Sequence, residues 1–377
     1  MSKIKQLVKK IWKDQNFSWQ NLLYETIKTV LAVVIAYVIA FVIIYFVSDQ
    51  PSNSIYWFVV GPFSSLMEFG EIIRKAIPLM FAGVAACVII KAKQFNLFTE
   101  GAFYVGGLVA AVIAIYMKVP AFLAVLVALI GGGLVSAIIG YIPSKLKASL
   151  EVNEFVSSIM LNYVVLWIGI WLISNIIVDD ASGDMATKII PEVSKIKVFL
   201  TGTNVTYGLL IALIITILVQ LFFKKTHHGY EIKMTGDNQK FAKYAGIKTK
   251  KRITEAQTLG IFIAGVGGAT EILSNYHRFN WKSLPGFGFD GFMITIIAKN
   301  KPLMIPLAAL FIGYLRAGAD LMAFNSDVAQ EVVSIIQGVI ILLIASERFF
   351  SSVFFKNLMD KLKEKRKARK EEVSINE

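Results

Sequence analysis

Thr29 to Val47 is a run of nineteen residues without a charge, built almost entirely from Val, Ile, Ala, Leu, Phe and Tyr. As a helix rising about 1.5 Å per residue it covers about 28 Å, enough to cross the hydrocarbon core of a bilayer. Val119–Ser144, Phe155–Val178 and Val205–Phe223 are comparable runs. With 56% hydrophobic residues over 377 positions, the chain reads as an all-α polytopic membrane protein. Lipid offers no hydrogen bonds, so apolar runs of this length cross it as helices.

Ten apolar segments predict about ten spans: 29–47, 76–90, 102–117, 119–143, 155–178, 205–223, 256–274, 286–298, 302–318 and 329–346. Residues 49–75, which hold Pro51 and Pro62, read as an external loop or interfacial helix. With the N-terminus inside, the inner segments are 1–28, 91–94, 145–154, 224–255, 299–301 and 347–377. They hold 30 of the 39 Lys and Arg residues. Cytoplasmic loops attract Lys and Arg, so both termini are expected in the cytoplasm. The expected organisation is a basic N-terminal segment 1–28, a membrane domain 29–346 and a basic tail 347–377. The formal charge of +13 finds its explanation in this loop bias, and no nucleic-acid partner is expected.

Two short segments break the apolar pattern with an acid beside a glycine. Asn96-Leu97-Phe98-Thr99-Glu100-Gly101 precedes one apolar run, and Gly286-Phe287-Gly288-Phe289-Asp290-Gly291 opens another. The second matches G-x-G-x-x-G, yet no strand precedes it, so a dinucleotide reading fails. In the ten-span topology the two segments enter from opposite sides. Glycine-broken segments of opposite sense are the mark of an inverted repeat, whose broken ends meet near the midplane and flank a substrate path. On that reading Asn96, Glu100, Gly101, Asn162, Phe287, Phe289, Asp290 and Gly291 line the path; on the other, the glycines merely permit tight packing. Glu271 follows a stretch of small residues from Ala264 to Thr270 and is expected to pair with Arg316 across the bundle.

The inner loop 224–255 carries a local helix signal. Asp237 or Asn238 suits the start of a short helix, and Gly246 suits its end. Gly236, Asn238, Ala242, Tyr244, Ala245, Gly246 and Ile247 therefore form a short surface helix on the cytoplasmic side.

Catalytic signatures are missing. There are three histidines and no H-E-x-x-H, no G-x-S-x-G and no Walker A sequence. The chain is read as a transporter subunit and not an enzyme, with no cofactor, and energy for uphill transport must come from a gradient or a partner.

Asn96–Gly101 resembles the N-[IL]-x-x-E-G signature of the branched-chain amino acid, ribose and nucleoside permease family of ATP-binding-cassette importers. So do Glu151-Val152-Asn153-Glu154 with Ile159–Tyr163, Gly236-x-Asn238 with Tyr244–Ile247, Gly288–Gly291 and Leu315–Gly318. The branch it most resembles is the longer of the two permeases in nucleoside importers. The resemblance implies four partners besides solute: a double-module ABC ATPase inside, a second homologous permease subunit, a substrate-binding lipoprotein outside, and the lipid bilayer. It implies a cytoplasmic-membrane location, alternating access as the mechanism, and residues 236–247 as the contact with the ATPase. Phe98 and Thr99 depart from the family pattern, where Gly or Val is usual, as does Asp237, where a hydrophobic residue is usual.

Overall fold

The structure is a computed structural model and describes residues 35, 37–117, 120–179, 183 and 185–345. The expected N-terminal segment 1–28, the start of the 29–47 span and the tail 347–377 lie outside the described residues. Among the described residues thirteen α-helices follow one another: α1 (Tyr37–Val47), α2 (Pro51–Val59), α3 (Leu66–Lys91), α4 (Thr99–Tyr116), α5 (Ala121–Leu150), α6 (Glu154–Asn175), α7 (Gly208–Lys225), α8 (His227–Asp237), α9 (Gln239–Tyr244), α10 (Thr249–Asn275), α11 (Phe287–Ile297), α12 (Ile305–Asn325) and α13 (Gln330–Ala345). Among the described residues no strand forms, and the β-pairing consists of the isolated bridges Val178–Thr187 and Val198–Thr206. The chain is therefore an all-α polytopic membrane protein.

Among the described residues, seven helices are long and apolar enough to cross a bilayer: α3 to α7, α10, and α12 with the short turn before it. At the other three expected positions stand α1, α11 and α13, and α11 has only 11 residues. The span expected at 76–90 begins ten residues earlier, at Leu66, so the stretch 49–75, expected as an external loop or interfacial helix, holds α2 and the first ten residues of α3. Ser65 accepts the Glu68 N–H at 3.2 Å and starts the helix there. Glu71, Arg74 and Lys75 are then carried on α3 with partners: Glu71 pairs with Arg74, and Lys75 with Asp320.

The chain forms two compact units. The larger is Tyr56–Phe324; the smaller joins the two chain ends, Met1–Ile55 and Asn325–Glu377. In the larger unit α10 is the central post, packed against α3, α4 and α5. The small residues of α10 make this possible. A Cβ on Gly106 of α4 would lie 2.1 Å from the Gly265 carbonyl oxygen, and one on Gly268 would lie 2.0 Å from the Phe103 carbonyl oxygen. Without side chains between them the two backbones touch, and dispersion contacts replace the hydrophobic drive that lipid cannot supply. At the periphery, the membrane stretch of α7 is only 22% buried, against 83% for α10. Its exposed Ile214, Ile217 and Leu218 suit a lipid environment.

The connection after α6 lies over the far end of α10. Thr187, Ile190 and Ile196 donate their N–H groups to the carbonyls of Phe279, His277 and Leu273. Arg278 pairs with Asp179. Lys195 donates to Glu192 at 2.6 Å, which holds that exposed carboxyl below its usual range. In the smaller unit Asp327 accepts from Ser48 Oγ at 2.6 Å and from the Asp49 N–H, and these bonds hold its carboxyl below the ordinary value.

Candidate functional site

The two broken segments meet. Glu100, in the first turn of α4, is fully buried, and its carboxylate accepts the N–H of Gly286 at 2.5 Å and of Gly288 at 2.6 Å. These amides stand at the start of α11, where N–H groups have no partner within the helix. Gly286 precedes the helix at φ +85° and has no side-chain cap of its own, so the carboxylate arrives from the other segment. The fit needs Gly288: a Cβ there would lie 2.4 Å from the Glu100 nitrogen. An anion at a helix N-terminus is stabilised by the helix dipole as well as by the hydrogen bonds.

The first broken segment is held from α6 and α10. Glu154, Ser158 and Asn162 recur every fourth residue and form one polar stripe on an apolar helix. Glu154 accepts the Phe95 N–H at 3.3 Å and Ser158 the Leu97 N–H at 3.0 Å. Asn162 accepts the Gly101 N–H at 2.9 Å and donates to the Leu97 carbonyl at 3.0 Å. Asn96 donates to Gln257 at 2.6 Å and accepts the Phe98 N–H at 2.9 Å. Non-helical backbone at membrane depth is tolerable when its polar groups are paired within protein, and these side chains do that. Ser158 and Gln257 were not singled out by sequence. The i, i+4, i+8 polar stripe was the available signal for Ser158; nothing local marks Gln257.

Asn96, Glu100, Gly101 and Asn162 are thus buried and engaged with protein groups. Phe287 packs against Phe103, ring centres 5.5 Å apart. Phe289 is 45% exposed, and Asp290 lies beside it, partly exposed. Gly291 lies against the Ala82 carbonyl of α3.

The expected pairing of Glu271 with Arg316 does not form. Arg316 pairs with Asp290 instead, and Glu271, near the far end of α10, bonds Asn275 and lies toward Arg74. A charge near the middle of a membrane helix costs about 2.5–3.5 kcal/mol on insertion scales, and pairing offsets part of it. Asp290 is within reach of Arg316 because α11 begins at the broken segment, which delivers the acid beside α12.

A second arrangement stands at the C-terminal end of α3. Thr226 caps α8, accepting the Gly229 N–H at 3.0 Å. Asn238 closes α8 and caps α9, accepting the Phe241 N–H at 3.0 Å. After α9 the chain turns through Gly246 at φ +83°. The Gly246 N–H reaches the Lys243 carbonyl at 3.1 Å, and the Ile247 N–H reaches that of Ala242 at 3.0 Å, so both orphan carbonyls are satisfied. Gly236 sits directly on the end of α3, a Cβ there falling 2.1 Å from the Lys91 carbonyl oxygen. Arg252 of α10 pairs with Glu231 of α8. Ala242 is fully buried, while Tyr244 and Phe241 are 92% and 55% exposed. The short helix is therefore fixed at its base and bare on its outer side.

An all-α body with two broken segments latched at one carboxylate and a braced surface helix describes an integral membrane protein. The family described as branched-chain amino acid transport system / permease component matches residues 69–345, and the chain belongs to that family. The chain is 31% identical over 310 residues to the guanosine ABC transporter permease protein NupP of Bacillus subtilis, covering 81% of this chain and 87% of that one. It is 28% identical over 298 residues to the nucleoside permease NupB of Lactococcus lactis subsp. cremoris, covering 76% and 81%. The glucose permease TsgB13 of Haloferax volcanii is 28% identical over 298 residues, covering 75% and 78%. The chain is accordingly a multi-pass protein of the cytoplasmic membrane. Its family implies association with an ATPase and a substrate-binding protein.

Proposed function

We propose that the chain is the permease of an ATP-driven importer that carries nucleosides inward by alternating access. It crosses the membrane ten times with both termini in the cytoplasm and works beside a second, homologous permease. A double-module ATPase hydrolyses ATP on the inner side, and a lipoprotein delivers solute on the outer side. Phe287, Phe289, Asp290 and Gly291 meet the solute, and Asn96, Glu100, Gly101 and Asn162 hold the break that presents them. Residues 236–247 receive the push of the ATPase. Two nucleoside permeases among the relatives support the choice of solute. The observation that carries the reading is the latch between Glu100 and α11, which brings the two broken segments to one place.

The test uses the assembled complex in proteoliposomes. Gly246→Pro removes the donor to Lys243 and forbids the positive φ of the turn. It is expected to abolish ATP-driven guanosine uptake while leaving the lipoprotein's affinity for guanosine unchanged. Normal uptake by this variant would remove the coupling role from 236–247. A glucose importer of the same family is the second reading, favoured by the Haloferax volcanii relative. Competition of labelled guanosine uptake by glucose, and not by unlabelled nucleosides, would select it. Uptake that survives loss of the ATPase but collapses with an ionophore would point instead to proton coupling.

A further inference from the structure

Two ion pairs stand together on the packing of α3, α11 and α12. Arg316 and Asp320 lie one turn apart on α12 and so share a face. Arg316 pairs with Asp290 of α11, and Asp320 with Lys75 of α3. None of the four is fully enclosed: their side chains are 28%, 17%, 39% and 21% exposed in the order Arg316, Asp290, Asp320, Lys75. Arg316 is about 16 Å along α12 from its start and Lys75 about 14 Å along α3, both within helices long and apolar enough to cross a bilayer.

A partly exposed charge at such depth has lipid, protein or water beside it. Acyl chains neither donate nor accept hydrogen bonds, so lipid is excluded. A dry protein surface would have to match the remaining N–H groups of the guanidinium and ammonium and the free carboxylate lone pairs. Water does so without any such match. Where the chain faces lipid it looks different: Met160, Val164, Trp167 and Trp171 of α6, and Ile217 and Leu218 of α7, are exposed and apolar.

We propose that the face bearing these two pairs is the wall of a water-filled passage, and that its balanced charges select uncharged hydrogen-bonding solutes over anions and cations. The proposal rests on the transport reading above and adds Lys75, Asp320 and Arg316 to the residues that a solute meets.

The test places single cysteines in the assembled complex after Cys87→Ala removes the native thiol. Phe289→Cys and Ala323→Cys leave both ion pairs intact, and Leu218→Cys reports a lipid-facing position. Membrane-impermeant thiosulfonates are expected to modify positions 289 and 323 at least about tenfold faster than 218, because water reaches only the first two. Cationic and anionic reagents, each normalised to its rate on free cysteine, are expected to agree within about threefold at 289 and 323, as a wall without net field requires. Rates as slow as at 218, or a cation-to-anion ratio beyond about tenfold, would overturn the proposal. Uptake is read on vesicles that hold the Cys87→Ala parent, in which Phe289 and Ala323 are untouched. ATP-driven uptake with 289 and 323 protected would sink the wall and leave the transport reading standing. Fast, balanced labelling without ATP-driven uptake would support the wall and sink the motor.

Discussion

Glu100 and Gly288 are 188 positions apart in the chain, yet the carboxylate of one accepts the N–H of the other at 2.6 Å in a fully buried site. Removing the carboxylate takes the acceptor from two amides, of which that of Gly288 is buried. Glu100→Ala is expected to cost about 3 kcal/mol, given that hydrogen bonds to charged groups are worth about 1.5–3 kcal/mol each. Glu100→Gln keeps one acceptor and is expected to cost less, about 1–2 kcal/mol. Thermal unfolding of the purified complex in detergent reads both; equal midpoints for wild type and Glu100→Ala would refute the latch.

Asp290 and Arg316 offer a double-mutant cycle. Arg316→Leu leaves Asp290 charged and unpaired at membrane depth. With both side chains partly exposed, a cost of about 2 kcal/mol is expected, below the 3–5 kcal/mol of a fully buried pair. Asp290→Leu combined with Arg316→Leu is expected to recover most of that stability, because no unpaired charge remains. Stability losses that simply add would mean that the two groups do not interact.

The crossing of α4 and α10 tolerates no side chain at Gly106. Gly106→Ala places a methyl group on the Gly265 carbonyl and must push two backbones apart. Overpacking of this kind costs about 1–3 kcal/mol. The expected readout is a lower yield of folded permease and a lower unfolding midpoint. Gly246→Ala, where nothing lies within 4 Å, is expected to lose only the smaller strain of a left-handed residue, about 1–2 kcal/mol.

Tyr244 is the clearest surface test. At 92% exposure its ring supports little within the chain. Tyr244→Ala is expected to leave thermal stability within about 0.5 kcal/mol of wild type, as for other exposed positions. Its association with the ATPase, measured by co-purification, is expected to fall severalfold. Unaltered co-purification and uptake would take α9 out of the contact.

Helices and turns with local signals were legible in the sequence. Asn238 and Gly246 bracket α9 as their residue types require, since caps and left-handed turns are decided within a few residues. The position of α11 followed from its glycines. The start of α3 was missed because Glu71, Arg74 and Lys75 read as solvated, although Ser65 and Glu68 carry a start signal three residues apart. Partner choice was the least legible part. Glu271 and Asp290 were both available to Arg316, and only the placement of α11 beside α12 decides between them. Contacts such as Asn96 to Gln257 join positions 161 residues apart and leave no local trace.

The latch has a mechanical corollary. Sliding α11 past α4 would first tear the Gly286 and Gly288 amides from the Glu100 carboxylate. The cheaper displacement carries both elements as one rigid block, which assigns the hinges of any conformational cycle to segments outside this junction.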